Sequence, residues 1–256
     1  MKRIISIFWI SILTAWALHA QSANDYFQQG LSFEKNFDVK EALTAYEAAL
    51  LKNPYHAEAL THASRMLSNV AGKLPKSEHS KKKELLNKAR DYAQKSIRLK
   101  PDNPQARLAN IISLGLLSEI ATNPREKVAN AGLIHDEAVK ILEMDSAFSE
   151  AYFVLGKWQY ELSQLNWMEL MACKIFFGGF PEEISIEAAL QYYNKAIEFN
   201  PNSILFLYGL ASAQNVLGEN QKAINALNLA LALPISEPDD LLRKERCANL
   251  LKKIVQ

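Results

Sequence analysis

The chain has 256 residues, of which 49% are apolar and 22% charged, so it is long and apolar enough to bury a continuous core. This composition excludes a disordered chain. Lys and Arg together number 29 against 28 Asp and Glu. The chain therefore lacks the basic surplus that a general grip on nucleic-acid phosphates needs, and nucleic acid is not an expected partner.

Residues 1–22 are predicted to be a secretory signal peptide. Lys2 and Arg3 precede an uncharged run at 4–18, and small or polar residues follow at 20–23. A membrane-spanning helix needs roughly 20 apolar residues, which is more than this run offers. We expect cleavage within 20–23, which leaves 27 basic against 28 acidic residues. The prediction is an exported protein, periplasmic if the source is bacterial.

A pattern of a small residue, an aromatic residue, a second small residue and a proline recurs near the ends of predicted helix pairs. Ala lets two helix backbones approach closely, the aromatic ring fills the gap between pairs, and Pro ends the helix. Ala223 follows Ala189 by 34 residues, which is the period of the tetratricopeptide repeat (TPR). The sequence thus predicts an all-α, TPR-like helical solenoid. The two copies are Ala42, Tyr46, Ala49, Pro54 and Ala189, Tyr193, Ala196, Pro201.

The predicted repeat domain covers residues 23–237 and contains about five helix pairs. The second unit carries a loop with a helix extension at 72–83, the third has the most degenerate pattern, and the fourth carries an insertion around 167–181. Residues 238–256 are predicted to contain a capping helix. The five predicted units are 23–56, 57–103, 104–148, 149–203 and 204–237.

The fourth and fifth units carry a more specific sequence. It begins with Leu155-Gly156-Lys157-Trp158-Gln159-Tyr160, continues through the long insertion to Pro181, and ends with Asn-Leu-Ala-Leu-Ala-Leu-Pro at 228–234. These features resemble the TPR domain of the regulator of microtubule dynamics family, and residues 57–146 fit the same layout more loosely. Lys157 departs from the family, which usually has Arg there.

The resemblance implies a TPR domain and a set of binding partners, and it implies no catalytic activity. Eukaryotic members are associated with microtubules, and one is an organelle tether whose TPR domain is reported to hold phospholipid. An exported chain would not meet cytosolic microtubules. Microtubule binding is therefore not expected, and phospholipid remains an alternative ligand.

The sequence contains no motif for catalysis or for a cofactor. There is no Walker loop, no Gly-x-Ser-x-Gly elbow, no His-Glu-x-x-His helix and no Cys-x-x-Cys pair. His56 and His62 have the wrong helical spacing for a shared metal, because ligands on one helix face lie three or four residues apart. We predict no catalytic residues, no metal and no cofactor. Cys173 and Cys247 are expected to be buried thiols, with a disulfide between them left open.

Family geometry places fixed positions of each unit on the concave side of the solenoid. The resulting groove is apolar with a few polar groups, which suits an extended peptide or an acyl chain with a polar head. Our leading hypothesis is a scaffold or adaptor in which Arg65, Tyr160 and Tyr208, together with Lys157, bind the polar groups of a protein segment. The alternative is that several of the aromatic residues only pack between units. The predicted groove residues are Phe27, Arg65, Asn69, Leu108, Phe153, Lys157, Tyr160, Tyr208 and Asn215.

The insertion at 165–180 is rich in large apolar residues, which are expected to be buried against another part of the protein or against a ligand or membrane. Packing on the back of the fourth and fifth units is one expectation. The other is a lid over the groove or a contact with a membrane, because amphipathic helices rich in Trp and Phe serve that purpose. The candidate residues are Trp167, Phe176, Phe177 and Phe180.

Overall fold

The computed structural model describes residues 21–177 and 183–256. Within these ranges the chain forms α-helices and one short 3₁₀ turn, Lys76–Glu78, with no strands, so the prediction of an all-α solenoid is confirmed. No helix in the described ranges is both long and apolar enough to cross a membrane. The helices are α1 (Ala23–Lys35), α2 (Val39–Lys52), α3 (Ala57–Gly72), α4 (His79–Leu99), α5 (Pro104–Ile120), α6 (Pro124–Met144), α7 (Ser149–Ser163), α8 (Trp167–Phe177), α9 (Ile186–Phe199), α10 (Ile204–Val216), α11 (Asn220–Ala232) and α12 (Asp240–Val255).

The helices pack in five pairs followed by α12. The pairs are α1 with α2, α3 with α4, α5 with α6, α7 with α9, and α10 with α11, while α8 is inserted within the fourth pair. The first helices of successive units also touch one another, since α3 packs on α5, α7 on α10, and α10 on α12. These first helices form the inner layer of the solenoid, and the second helices form the outer layer.

The helix starts are set by residues whose side chains satisfy free backbone N–H groups. Ser22 begins α1 with a capping box, in which its hydroxyl accepts from the Asp25 N–H at 3.2 Å while the Asp25 carboxylate accepts from the Ser22 N–H at 2.8 Å. Asn103 and Asn123 cap α5 and α6, and each is followed by a proline that needs no N–H partner. Local sequence therefore fixes where these helices begin.

Tyrosine rings fill the crossings between the paired helices of a unit, where glycine allows close approach. Tyr46 is fully buried, and a Cβ atom on Gly30 would lie only 2.4 Å from its ring. Tyr193 does the same at the junction of the fourth and fifth units, where a Cβ on Gly156 or on Gly209 would come within 2.9 Å of its ring. The rings occupy the space that larger side chains would need.

The insertion packs only in part where it was expected. Helix α8 lies against α6 of the third unit, and its Cys173 joins Trp158 and Leu162 of α7 in a buried cluster. The fourth unit thus supplies part of the packing surface as expected, while the third unit takes the place of the expected fifth. The physical reason is that the indole N–H of Trp158 donates to the Ala131 carbonyl at 3.1 Å, which aligns an apolar seat between α6 and α7.

The return from the insertion is held by one buried side chain. The amide of Gln159 donates to the Glu183 carbonyl at 3.2 Å and accepts from the Ser185 N–H at 3.1 Å. Gln159 thereby anchors the start of α9 to α7. Both cysteines are free and buried, Cys173 on the side of α8 that faces α7 and Cys247 in the cluster that includes residues of α10 and α11. Their locations match the expected role as small apolar fillers.

We predict that Gly30→Ala lowers the free energy of unfolding by about 1–3 kcal/mol, because the added methyl group overpacks against Tyr46. Urea denaturation followed by far-UV circular dichroism measures the change. Gly115→Ala is the matched control, since a Cβ at this position in α5 meets no atom within 4 Å. It should be neutral or stabilising. Equal destabilisation by both substitutions would contradict the role assigned to the Gly30 crossing.

Candidate functional site

The inner face is the surface formed by the first helices α1, α3, α5, α7 and α10. Three of the predicted groove residues pack between units instead of lining open surface. Phe27 and Leu108 are buried in separate apolar clusters, and the Phe153 ring stacks on Phe206 with 5.1 Å between centroids. These three side chains therefore pack between units, as the alternative expectation describes. They lie beneath the inner face and support it.

Tyr160 and Tyr208 lie close together on α7 and α10. Both rings are half-buried and pack against the cluster that contains Tyr193. Burial raises the pKa of Tyr160, and the neighbouring Tyr208 and Glu161 raise it further. No described residue forms a hydrogen bond with either hydroxyl group of this pair. The two hydroxyls are therefore available to donate to a ligand.

The remaining predicted residues of α7 and α10 flank this tyrosine pair. The exposed Lys157 lies 3.5 Å from the carboxylate of Glu161, one turn further along the same helix. Asn215 lies two turns after Tyr208 and is half-buried. Five of the nine predicted groove residues thus lie on two adjacent inner helices, with Phe153 packed beneath the other four.

A second polar group on the inner face, the Glu34 cluster, comprises Glu34, Tyr46, His62 and Arg65. One carboxylate oxygen of Glu34 accepts from the Tyr46 hydroxyl at 2.6 Å and from His62 Nδ1 at 2.7 Å. The other lies 3.3 Å from the Arg65 guanidinium, which is partly exposed. Arg65 was predicted to bind a ligand, and here it is already paired with a carboxylate.

Several groups compete to set the pKa of Glu34. Burial by itself would raise it, but the hydrogen bonds from His62 and Tyr46 and the positive charge of Arg65 outweigh burial and lower it. Glu34 is consequently ionised in the folded protein at neutral pH. This half-buried carboxylate ties α1 to α2 and α3 at one end of the inner face.

A contact across the solenoid joins its second unit to the start of α12. The Asn69 side chain donates to the Asp239 carboxylate at 3.2 Å, and Lys73 Nζ lies 3.4 Å from the other oxygen of Asp239. Residues 69 and 239 are 170 positions apart in sequence. The inner layer therefore curves far enough for α3 and the loop before α12 to meet, and Asn69 belongs to this closure.

The candidate lid residues are only partly described. Trp167 is 74% exposed, and the neighbouring Met168 and Ile175 on the same helix are 71% and 76% exposed. Phe176 and Phe177 end α8, but their side chains, and the whole of Phe180, lie outside the described residues. The described part of α8 rests on the outer helix α6 and presents an uncovered apolar stripe.

The histidines serve structural contacts in the described chain. His56 Nδ1 accepts from the Ala59 N–H at 3.3 Å and so caps α3, while His62 belongs to the Glu34 cluster. Both imidazole rings also contact Phe27. Within the described ranges no three His, Cys, Asp or Glu side chains form a group that would hold a metal.

Sequence reasoning missed Glu34, His62 and Asp239. Glu34 occupies the same repeat position in α1 that Tyr160 occupies in α7, so the repeat register contained the signal. His62 and Asp239 had no such signal, because their positions matter only through contacts with residues distant in sequence.

Helix pairs joined at tyrosine-filled crossings, with first helices forming one continuous layer, define a TPR-like helical solenoid. Among solved structures, TTC0263, a thermophilic TPR protein of Thermus thermophilus, superimposes with a TM-score of 0.65 over 90% of this chain and 100% of that chain, at 15% identity. At that identity the likeness shows the fold alone. The family described as regulator of microtubule dynamics protein 1-3 matches residues 22–255. The chain belongs to this family.

Curated relatives carry the same family name at modest identity. Regulator of microtubule dynamics protein 1 of Caenorhabditis elegans is 26% identical over 172 residues, which are 67% of this chain and 75% of that protein. Protein 1 of Mus musculus is 26% identical over 151 residues, 59% of this chain and 48% of that protein. Human protein 2 is 29% identical over 174 residues, 64% of this chain and 40% of that protein. The chain spans half or less of these two mammalian relatives.

We predict that Glu34→Gln destabilises the protein at pH 7 by about 1–3 kcal/mol, because a charged acceptor of three donors is lost. The folded-state pKa of Glu34 lies below its ordinary value of 4.5, so its contribution is present above pH 4.5 and disappears as pH falls through the folded value. Urea unfolding of wild type and variant at a series of pH values from about 3 to 7 tests this.

The matched control for that series is Glu41→Gln, which removes an exposed carboxylate from the first turn of α2. It should change the free energy of unfolding by no more than about 0.5 kcal/mol. A wild-type advantage over Glu34→Gln that stays constant on acidification would contradict the stabilising role of the ionised carboxylate.

Proposed function

We propose that the protein is a non-catalytic, exported scaffold or adaptor that holds an extended segment of a partner protein on its inner face. The TPR solenoid is an architecture that presents extended concave surfaces to protein ligands. The observation that carries the proposal for this chain is the Tyr160–Tyr208 pair. Two half-buried rings on adjacent inner helices offer hydroxyl groups that no described residue uses.

The chemistry of this face suits a peptide. An extended peptide presents a backbone carbonyl at every residue, and the Tyr160 and Tyr208 hydroxyls would donate to such groups while their rings pack on apolar side chains. Lys157 and Arg65 would then bind acidic groups of the partner. Each already lies near a glutamate, Glu161 or Glu34, which offsets part of its positive charge.

Export and location are part of the same proposal. They rest on the sequence pattern of residues 1–22, which lie mostly outside the described part of the chain. A periplasmic location follows if the source is bacterial. The names of the relatives refer to microtubule dynamics, but an exported chain would not meet cytosolic microtubules, so microtubules are not among the proposed partners.

The second candidate function is binding or transfer of a phospholipid. It is favoured by the uncovered apolar stripe on α8, where Trp167, Met168 and Ile175 face solvent. Such a stripe is typical of a helix that contacts a lipid surface. In this alternative the inner face would shield an acyl chain, and α8 would touch the membrane from which the lipid is drawn.

Native mass spectrometry of the mature protein purified from its own compartment distinguishes the two candidates. The bound material is extracted and identified. A retained peptide or protein supports the scaffold, and a stoichiometric phospholipid supports the lipid carrier and contradicts the leading proposal.

For the scaffold we predict that the double variant Tyr160→Phe/Tyr208→Phe binds the captured peptide about 10-fold more weakly, because two hydrogen-bond donors are removed while both rings keep their packing. Isothermal titration calorimetry measures the affinity, and thermal melting should be unchanged. Tyr55→Phe is the control, since this exposed tyrosine lies between α2 and α3, away from the pair. Unchanged affinity in the double variant, or an equal loss with Tyr55→Phe, would rule out a direct role for the hydroxyls.

A further inference from the structure

The imidazole of His62 uses one of its two ring nitrogens within the described part of the chain. Its Nδ1 lies 2.7 Å from a carboxylate oxygen of Glu34 and 3.3 Å from the Tyr46 hydroxyl. Its Nε2 forms no hydrogen bond with any described residue, and it is not enclosed by protein atoms. The side chain is 24% exposed. His62 therefore presents an unused Nε2 to solvent.

The contact with Glu34 fixes which ring nitrogen carries the proton. The same carboxylate oxygen also accepts from the Tyr46 hydroxyl at 2.6 Å. Burial raises the pKa of Glu34, but the hydrogen bonds from His62 and Tyr46 and the charge of Arg65 outweigh burial and lower it, so this oxygen is an acceptor at neutral pH.

Two hydrogen-bond acceptors do not approach each other to 2.7 Å, so Nδ1 of His62 must be the donor to Glu34. An imidazole at neutral pH carries one proton in most molecules. The lone pair of His62 therefore lies on Nε2. The unused nitrogen is a hydrogen-bond acceptor.

Aromatic rings from the first unit hold the orientation of this acceptor. The His62 ring meets Phe27 of α1 edge to face, with 5.6 Å between ring centroids, and it packs on Tyr46 of α2 with 5.2 Å between centroids. The hydrogen bond to Glu34 prevents a flip of the ring. Little side-chain entropy is left to lose when a ligand binds to Nε2.

Arg65 adds hydrogen-bond donors beside this acceptor. It follows His62 by three residues on α3, so the two side chains lie on the same face of the helix. One guanidinium nitrogen lies 3.3 Å from Glu34, and the remaining N–H groups have no partner among the described residues. One carboxylate thus orders an acceptor and a set of donors together.

The charges of this group indicate the chemistry of its ligand. The negative charge of Glu34 is matched by the positive charge of Arg65, and His62 with one proton is neutral. A lone ammonium group would be repelled by Arg65, and a lone carboxylate would find no donor on Nε2. A ligand that offers an N–H group next to an oxygen satisfies both side chains, and amides do so.

We infer that His62 is a ligand-binding residue of the inner face, whose Nε2 accepts an amide N–H of the bound partner segment while Arg65 donates to an oxygen of the same segment. The inference rests on the proposed function of the inner face and adds a residue that the repeat register did not assign to ligand binding. The amide belongs either to the backbone of the segment or to an Asn or Gln side chain.

Nitrogen NMR of the protein with isotopically labelled histidine measures the position of each ring proton. We expect a protonated Nδ1 and an unprotonated Nε2 for His62 at neutral pH. His56 is the internal control, because its Nδ1 accepts from the Ala59 N–H at 3.3 Å and its proton therefore belongs on Nε2. A His62 ring with the proton on Nε2 would overturn the inference before any ligand is added.

Acetamide and acetate are matched probes of the ligand chemistry, since they have the same shape and only acetamide donates an N–H. Titration of each, followed at the His62 Nε2 resonance, should show acetamide binding about fivefold more tightly, because one additional hydrogen bond forms. Equal or tighter binding of acetate, or no saturable shift with acetamide, would contradict the assignment. N-methylacetamide then separates the two sources: binding equal to that of acetamide assigns a backbone amide, and weaker binding assigns an Asn or Gln side chain.

The variant His62→Asn removes the acceptor and keeps the contact with Glu34, because the Asn amide nitrogen takes the place of Nδ1 and no atom takes the place of Nε2. It should keep the wild-type circular dichroism spectrum and lose acetamide binding, followed at the Arg65 Nε–H resonance. His56→Asn is the matched control, since Asn is a good N-cap and can accept from the same Ala59 N–H. It should bind acetamide as wild type does.

Wild-type affinity in His62→Asn, or an equal loss in His56→Asn, would rule out the role assigned to His62. These measurements use no captured partner. A phospholipid retained by the purified protein would therefore contradict the scaffold without changing them, and a failure of the acetamide titration would leave the scaffold standing with the Tyr160–Tyr208 pair as its binding groups.

Discussion

The packing of a tyrosine ring against a glycine at a helix crossing is the contact on which the solenoid depends. The rings of Tyr46 and Tyr193 each provide one large, rigid apolar surface at a crossing. Gly30 and Gly156 have no side chain, so the backbone of the neighbouring helix packs directly against these rings. Each ring touches more than one helix, so it sets the angle between helices as well as their separation. The positions of α1 and α7 therefore follow from the rings packed behind them.

The same rings connect the fold to the chemistry of the inner face. Burial of the Tyr46 ring brings its hydroxyl to Glu34, and the carboxylate then orders His62 and Arg65. At the other junction, Tyr160 and Tyr208 pack directly against the cluster that contains Tyr193. Burial raises the pKa of Tyr193, and Glu161 and Tyr160 raise it further. The candidate binding groups therefore rest directly on the residues that hold the units together.

The solenoid has two distinct surfaces, the inner face and the outer layer. The curvature of the inner layer brings Asp239 to Asn69 and Lys73, which bounds the inner face on one side. The insertion in the fourth unit places α8 on the outer layer, away from the tyrosine pair.

The sequence by itself determined the repeat and its start points, because capping residues, glycines and the ring positions act locally and recur at a fixed period. It also indicated Tyr160 and Tyr208, whose register on α7 and α10 follows from the same period. Only the tertiary structure decided that Phe27 and Leu108 are buried, that Arg65 is paired with Glu34, and that α8 packs on α6. These outcomes depend on how each unit rotates against the next, which is set by side-chain volumes at several junctions at once and leaves no periodic mark in the sequence.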